Sequence, residues 1–543
     1  MGLKDRMKEI KEPAQAAQKA DKSETAKTGL KERMKAIPSA HPAPPRASAA
    51  HKKEKQIVES YEIKKGKSRI NIWYDEKNHE YLYEVIEPLL NEREKMLLNF
   101  IKETMIATLN VDVDKIRDKD KYLLESFEKI MRDYEIKLDD SSGIFYYVRR
   151  DFLGYGKIDA VIGDALLEDV SCDGPGIPLY VYHKNYENIR TNVVFDEFDL
   201  DSFVIQVAQK CGKHISISEP MLDASFPDGS RLQATYSKEV TAGGSSFTIR
   251  KFRKQPFTPL DLIKYGTIDS KIAAFYWLVV ENGKNMALGG GTASGKTTAL
   301  NAISMFIPPN AKVISIEDTR ELELSHENWI KSVTRAGFGG EVIGGRRVGE
   351  INMYELLKAA LRQRPEYILV GEVRGVEASV AFQAMATGHV VYTTLHAEST
   401  AAVIHRLESE PINIPRIIMQ ALDIVSIQAL MSIGGKKQRK IKEITEIIGI
   451  EPETKEVRIN NVFRYNEESG RHAYSGRSYT FEKIANSKGL SVKDVEKEWH
   501  NREKLIDGMM KKGISNYIEF VDIIVRYYKD RDSVIKEMCE GGQ

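Results

Sequence analysis

One ten-residue stretch, GGGTASGKTT from Gly289 to Thr298, limits what this chain can become. It holds Gly290-x-x-x-x-Gly295-Lys296-Thr297, with the strand-like KNMAL before it and the helix-like TTALNAISMFI after it. A strand, a glycine-rich turn and a helix in that order make a phosphate loop. Glycines let backbone N–H groups converge on an anion, and the helix directs its positive end at the same point. The expected contacts run through Gly290, Gly291, Thr292, Ala293, Ser294, Gly295, Lys296, Thr297 and Thr298. Lys296 brings a mobile charge to the β and γ phosphates, and Thr297 offers a hydroxyl to Mg2+.

Three more apolar stretches have the character of buried parallel strands. AKVISIEDTREL ends in the acids Glu317, Asp318 and Glu321. Acids at a strand tip beside a phosphate loop can hold an attacking water. Spacing does not choose between them; Glu321 is the first choice and Glu317 the second, with strand capping or pairing to Arg320 as the structural alternative. RPEYILVGEVRG delivers Glu372 where the commoner phosphate-loop pattern has Asp. One methylene longer, it reaches the magnesium shell through a water. ATGHVVYTTLHA alternates from Val390 to Leu395, with His389 and His396 at its ends. That His pair has no third ligand nearby, which argues against a metal centre there. Strands separated by helical stretches imply a doubly wound α/β sheet with ligands at the strand C-termini.

The chain has 543 residues, room for two to four domains. No apolar run approaches the roughly 20 residues that span a bilayer; the longest, Ile272 to Val280, reads as a core helix. No secretory signal is expected at the N-terminus. Cys172, Cys211 and Cys539 lie too far apart for a disulfide framework or a Cys-x-x-Cys site, which fits a reducing cytosol. The net charge of +1 conceals an asymmetry: residues 1–70 carry 18 Lys and Arg against 9 Asp and Glu, the remainder 62 against 70. A basic arm on a mildly acidic body points to an anionic partner, whether anionic lipid, nucleic acid or an acidic protein.

Within the arm, GLKDRMKEI (Gly2 to Ile10) returns as GLKERMKAI (Gly29 to Ile37), each with Leu, Met and Ile on one helical stripe. Two copies of a docking peptide fit that pattern; low-complexity filler is the plainer reading. Residues 1–69 are therefore expected to be a basic, largely disordered arm. Residues 70–254 read as an α+β domain, helical from Ile70 to about Leu138 and strand-rich after it. Residues 255–450 form the nucleotide core, and 451–543 a mostly helical extension.

The order GGGTASGKTT, VISIEDTREL, LRQRPEYILVGEVRG, QAMATGHVVYTTLHA resembles the Walker A, Asp box, atypical Walker B and His box of the type II/IV secretion ATPase superfamily. Glutamate in the Walker B strand is usual in that family. GKIDAVIGDALLEDVSCDGPGIPLYVYH upstream is similar to its archaeal branch, and the tail from Gly476 to Tyr528 resembles that of the archaellum motor ATPase and its pilus relatives. The resemblance covers about residues 75 to 540. It implies a RecA-like core that hydrolyses ATP with Mg2+, in a homohexamer at the inner face of the cell membrane, driving a polytopic membrane platform protein. It also implies that Arg231 of DGSRL and Arg250 of TIRKF approach the phosphates from the N-terminal domain. His389 and His396 match the His box, coupling phosphate state to a neighbouring subunit or bonding backbone at the strand ends. The paired Cys-x-x-Cys zinc module usual in bacterial type II enzymes is absent from the sequence, which favours the archaeal or pilus-type branches. Archaellum motor is the first reading and archaeal pilus assembly or secretion ATPase the second. A RecA-like nucleic-acid translocase suits the basic arm, but the acidic body and the lack of a basic, aromatic stacking stretch speak against it.

Overall fold

Lys55 opens the computed structural model, which describes residues 55–108, 118–138, 140–252, 255–335, 337, 342–343, 346–434 and 436–540. The repeat at Gly2–Ile10 and Gly29–Ile37 lies outside the described residues. The chain divides into two units, at Phe252 and Arg253.

Nine strands form one sheet in the first unit: β1 (Lys55–Lys64), β2 (Ser68–Asp75), β3 (Glu80–Ile86), β4 (Leu167–Cys172), β5 (Pro178–His183), β6 (Glu187–Val194), β7 (Met221–Ser225), β8 (Arg231–Thr235) and β9 (Ser246–Arg250). Their order is β1-β2-β3-β6-β5-β4-β9-β8-β7. Alternation sends Leu179, Val181, Leu232 and Ile249 inward against Leu200, Phe203 and Val207 of helix Glu197–Lys210. Helices Glu92–Thr108, Lys119–Asp133 and Ser142–Phe152 enclose a smaller core around Leu97, Ile101, Phe127 and Val148. Two expectations are corrected. Residues 55–69, read as arm, contribute β1 and the start of β2, and residues 70–75 and 80–86, read as helical, are strands. Polar residues mask the period there: Asn71 and Trp73 are satisfied by Glu84 on the neighbouring strand, at 3.2 and 2.7 Å.

The second unit carries β10 (Met286–Gly290), β11 (Val313–Glu317), β12 (Trp329–Val333), β13 (Val342–Ile343), β14 (Arg346–Arg347), β15 (Tyr367–Val370), β16 (Val390–Leu395), β17 (Ile424–Ile433), β18 (Lys436–Ile450), β19 (Val457–Asn466) and β20 (Arg471–Tyr474). The main sheet runs β12-β11-β15-β16-β10-β17-β18-β19-β20. Its first six strands are parallel, and β18 to β20 continue as an antiparallel meander. Buried on both faces, the parallel strands are apolar throughout and serve two cores by alternation. Met286, Leu288, Leu369 and Tyr392 face helices Ser270–Glu281 and Lys296–Ser304. Ala287, Ile314, Ile368, Val370 and Val391 face helices Met353–Leu361 and Glu377–Ala386. This is the doubly wound, RecA-like α/β core that the motif order implies. The extension does not start at 451: β19 and β20 belong to the core sheet, and continuous helix begins at Tyr479. Among the described residues no helix is long and apolar enough to cross a membrane.

Candidate active site

The four motifs meet at one edge of the second unit's sheet because parallel strands deliver their C-terminal ends to the same side. β10 and β16 run in register from Met286↔Tyr392 to Gly289↔Leu395, and β15 pairs with both β11 and β16. Gly290, Glu317, Glu372 and His396 therefore cluster at the ends of four adjacent strands.

Local geometry explains the glycines. A Cβ on Gly290 would sit 2.4 Å from the Gln428 carbonyl oxygen and 2.5 Å from Ser294 Oγ, so only glycine admits this approach. Gly295 has φ 92°, the left-handed turn that starts helix Lys296–Ser304. Ser294 Oγ donates to the Gly291 carbonyl at 2.8 Å, and Arg439 Nε of β18 donates to the Ala293 carbonyl at 3.0 Å. The loop is thus braced from within and from the neighbouring strand.

Lys296 is buried, and its Nζ folds back on the loop, donating to the Gly290 and Gly291 carbonyls at 3.1 and 2.9 Å. Burial pushes its pKa down, while Glu372 and Glu321 pull the other way. Both acids therefore lie within electrostatic reach of the ammonium. Thr297, the next helical residue, is half-buried.

Glu372 follows β15 and has a cationic or imidazole neighbour at each oxygen. Arg374 Nη2 donates to Oε2 at 2.6 Å, and His396 Nε2 lies 3.0 Å from Oε1. That second approach is within ion-pair distance but off hydrogen-bond geometry, so buried Oε1 accepts no hydrogen bond. His396 Nδ1 in turn lies 3.4 Å from Lys296 Nζ. Burial first, and then Lys296, push the imidazole pKa down. The imidazole thus stands between an ammonium facing Nδ1 and a carboxylate facing Nε2.

Glu317 and Glu321 separate by environment. Glu317 is buried, and its Oε1 accepts the backbone N–H groups of Glu321 and Leu322 at 2.8 and 2.9 Å. It fixes the turn that carries Glu321. Burial raises its pKa to about 7 despite those bonds. Glu321 is exposed and near Lys296. Asp318 is exposed and accepts from Thr334 Oγ1 at 3.1 Å.

His389 is not brought here. It precedes Val390 at the opposite end of β16, roughly 20 Å from His396 at a strand rise of about 3.3 Å per residue. Its Nδ1 lies 3.4 Å from Thr387 Oγ1. Arg231 and Arg250 belong to the first unit, paired directly across β8 and β9, so both side chains share one face of that sheet. Arg231 lies 3.7 Å from Asp223. Sequence reasoning missed Arg374 and Arg439. The signal for Arg374 was present: two residues beyond Glu372 in an extended segment, it returns to the same side.

These residues fit a triphosphate with a divalent cation. The Lys296 ammonium occupies loop carbonyls that phosphate oxygens would replace, and Glu372 Oε1 is a buried acceptor without a donor. Among the described residues no cluster of three His, Cys, Asp or Glu side chains could hold a metal. Magnesium needs none, since it keeps waters and phosphate oxygens as ligands.

An uncharacterised protein of Methanocaldococcus jannaschii is 35% identical over 477 residues, spanning 82% of this chain and 85% of its own. The type IV secretion system protein PtlH of Bordetella pertussis is 32% identical over 270 residues, 44% of this chain and 76% of its own. The solved VirB11 ATPase of the Brucella suis type IV secretion system, in complex with sulphate, aligns with 53% of this chain and 94% of its own at 24% identity, with a TM-score of 0.27, too low to bear on function. A family profile described as type II/IV secretion system protein matches residues 200–521, more than half the chain and all four motifs. The chain belongs to the type II/IV secretion system protein family.

Proposed function

We propose that this chain is the ATP-hydrolysing subunit of a homohexameric motor. It would power an archaeal type-IV-pilus-like filament through a membrane platform protein, from the inner face of the cell membrane. The archaellum is the first choice of filament, for the tail from Gly476 and the basic arm; a pilus or secretion machine is the second. The observation that carries the ATPase reading is the chain of contacts from Lys296 through His396 to Glu372 at the mouth of the phosphate loop. The likeness to PtlH, a type IV secretion system protein, supports the secretion class.

In this reading the loop amides and Lys296 hold the β and γ phosphates. Bound Mg2+, held by Thr297 and through water by Glu372, would screen phosphate charge. Glu321 orients the attacking water, and Glu317 sets Glu321 in place. The water oxygen bonds to the γ-phosphorus, the bond to the bridging oxygen breaks, and that oxygen leaves on ADP. One water proton stays on inorganic phosphate, which leaves doubly charged, and the other passes to solvent. Arg231 and Arg250 would deliver positive charge from the first unit as the γ-phosphoryl group departs. The test is turnover by the purified full-length chain with and without additives. Stimulation by vesicles of anionic lipid is the expected outcome. Stimulation by single-stranded DNA with indifference to lipid would replace the filament motor with a translocase.

A further inference from the structure

Beside the phosphate site, and sharing a wall with it, lies an open cleft of about 660 Å³ lined by Arg374, His396, His405, Arg406, Ser409 and Glu410, among others. Two of these residues, Arg374 and His396, also flank Glu372, and His396 touches Lys296. The cleft therefore begins where the terminal phosphate would sit. Helix Thr400–Glu408 presents His405 and Arg406 along it, and Ala401 and Ala402 leave it unfilled. Arg374 is neutralised by Glu372 at 2.6 Å. Arg406 has no ion pair among the described residues, and neighbouring Glu408 is engaged by Arg416. Among the described residues, Glu410 is the only acid lining the cleft. The cleft's uncommitted positive charge is thus that of Arg406, near enough to His396 to act on it.

We propose that this cleft is the exit station for inorganic phosphate. Resting on the ATPase reading above, it assigns Arg406 and His405 as the residues that receive the doubly charged product once the bond to ADP has broken. The loop keeps ADP, while the Arg406 guanidinium draws phosphate past a carboxylate that Arg374 has already neutralised. Such a station binds free phosphate from solution as well, so it also sets product inhibition.

The experiment compares the full-length chain with Arg406→Ala, Arg406→Lys and the double variant His405→Ala/Arg406→Ala. Quenched-flow single turnover reads bond cleavage, a fluorescent phosphate reporter reads release, and added inorganic phosphate gives its inhibition constant. Arg406→Ala is expected to leave cleavage within twofold, slow release at least threefold and raise the inhibition constant at least fivefold; Arg406→Lys restores most of both. Unchanged release and inhibition in the double variant, with normal cleavage, would overturn the station. So would loss of hexamers on substitution with phosphate inhibition intact, which would make the cleft a seat for a neighbouring subunit. Failure of the unsubstituted chain to cleave ATP at all is a separate result and removes the parent reading with it.

Discussion

At Glu317 a buried carboxylate is held by backbone amides, and burial outweighs both these bonds and the pull of Arg320, which sets a pH dependence of stability. Burial raises its pKa from 4.5 to about 7. The folded chain binds this proton more tightly than the unfolded one, so the stabilising contribution is complete below about pH 4.5 and lost as pH rises through about 7. The loss amounts to about 3 kcal/mol at about 1.4 kcal/mol per pK unit. Glu317→Gln keeps an oxygen for both N–H donors and removes the charge. Urea denaturation at pH 5 and pH 8 is expected to show that decline in the native chain and a flatter profile in the variant; an equal slope in both would return the proton to some other group. Two substitutions at the site separate binding from chemistry. Lys296→Ala leaves the phosphate charge uncompensated, and turnover is expected to fall below a tenth of the native rate. Glu372→Gln is expected to bind ATP and lose turnover, as read by a fluorescent nucleotide and by phosphate production. Individual residues were legible where the chemistry is local: a glycine-rich turn and its lysine announce themselves. The choice between Glu317 and Glu321 was not legible, because it depends on which acid the turn buries. The misplacement of His389 has a similar origin: motif order marks both ends of a strand, and only one end faces the loop.

Elements were legible in proportion to their burial. The strands beneath the site are apolar on both faces and bounded by turns; those leading to Glu317, Glu372 and His396 were read where they lie, and β10, read in KNMAL, starts two residues later. The strands of residues 55–86 were not, because their polar residues find partners only across the sheet. The boundary at 451 failed because it falls at the turn of a hairpin: β19 folds back on β18, from Ile450↔Val457 to Glu443↔Arg464, and so continues the core sheet. The C-terminal helices are tied to the core by a joint that no local pattern announces. Arg502 on helix Val492–Lys511 is buried between Trp277 and Tyr527, with Nη2 2.5 Å from Glu281 and Nε 3.1 Å from Glu498. Trp277 meanwhile stacks on Phe306, with centroids 5.2 Å apart and planes 10° from parallel. Removing one partner of a buried charge cluster leaves the others uncompensated. Arg502→Leu is expected to cost about 3 kcal/mol. Thermal denaturation checks it, and Arg502→Lys, which keeps the charge without the planar fork, should fall between. A variant as stable as the native chain would mean that aromatic packing alone makes the joint.

For the whole molecule, the separation of charge is the feature that composition alone reveals. Residues 1–40 hold ten Lys and Arg against six Asp and Glu, while the rest of the chain beyond residue 70 is net acidic. If the chain works as proposed, at a membrane, the positive charge of residues 1–40 would favour attachment to an anionic surface. Each basic residue near an anionic surface contributes about 1 kcal/mol, and the attraction weakens as salt shortens the Debye length. Deleting residues 1–40 should therefore leave basal ATP turnover within twofold, since every proposed catalytic group lies far along the chain. Cosedimentation with anionic vesicles should weaken at least tenfold, and binding by the full chain should fall as salt rises from 50 to 300 mM, about a twofold change in screening length. Salt-insensitive binding would shift the anchoring role from charge to the Leu, Met and Ile stripes of the repeat. Loss of hexamers on deletion would make the arm an assembly element, with membrane attachment left to the folded units.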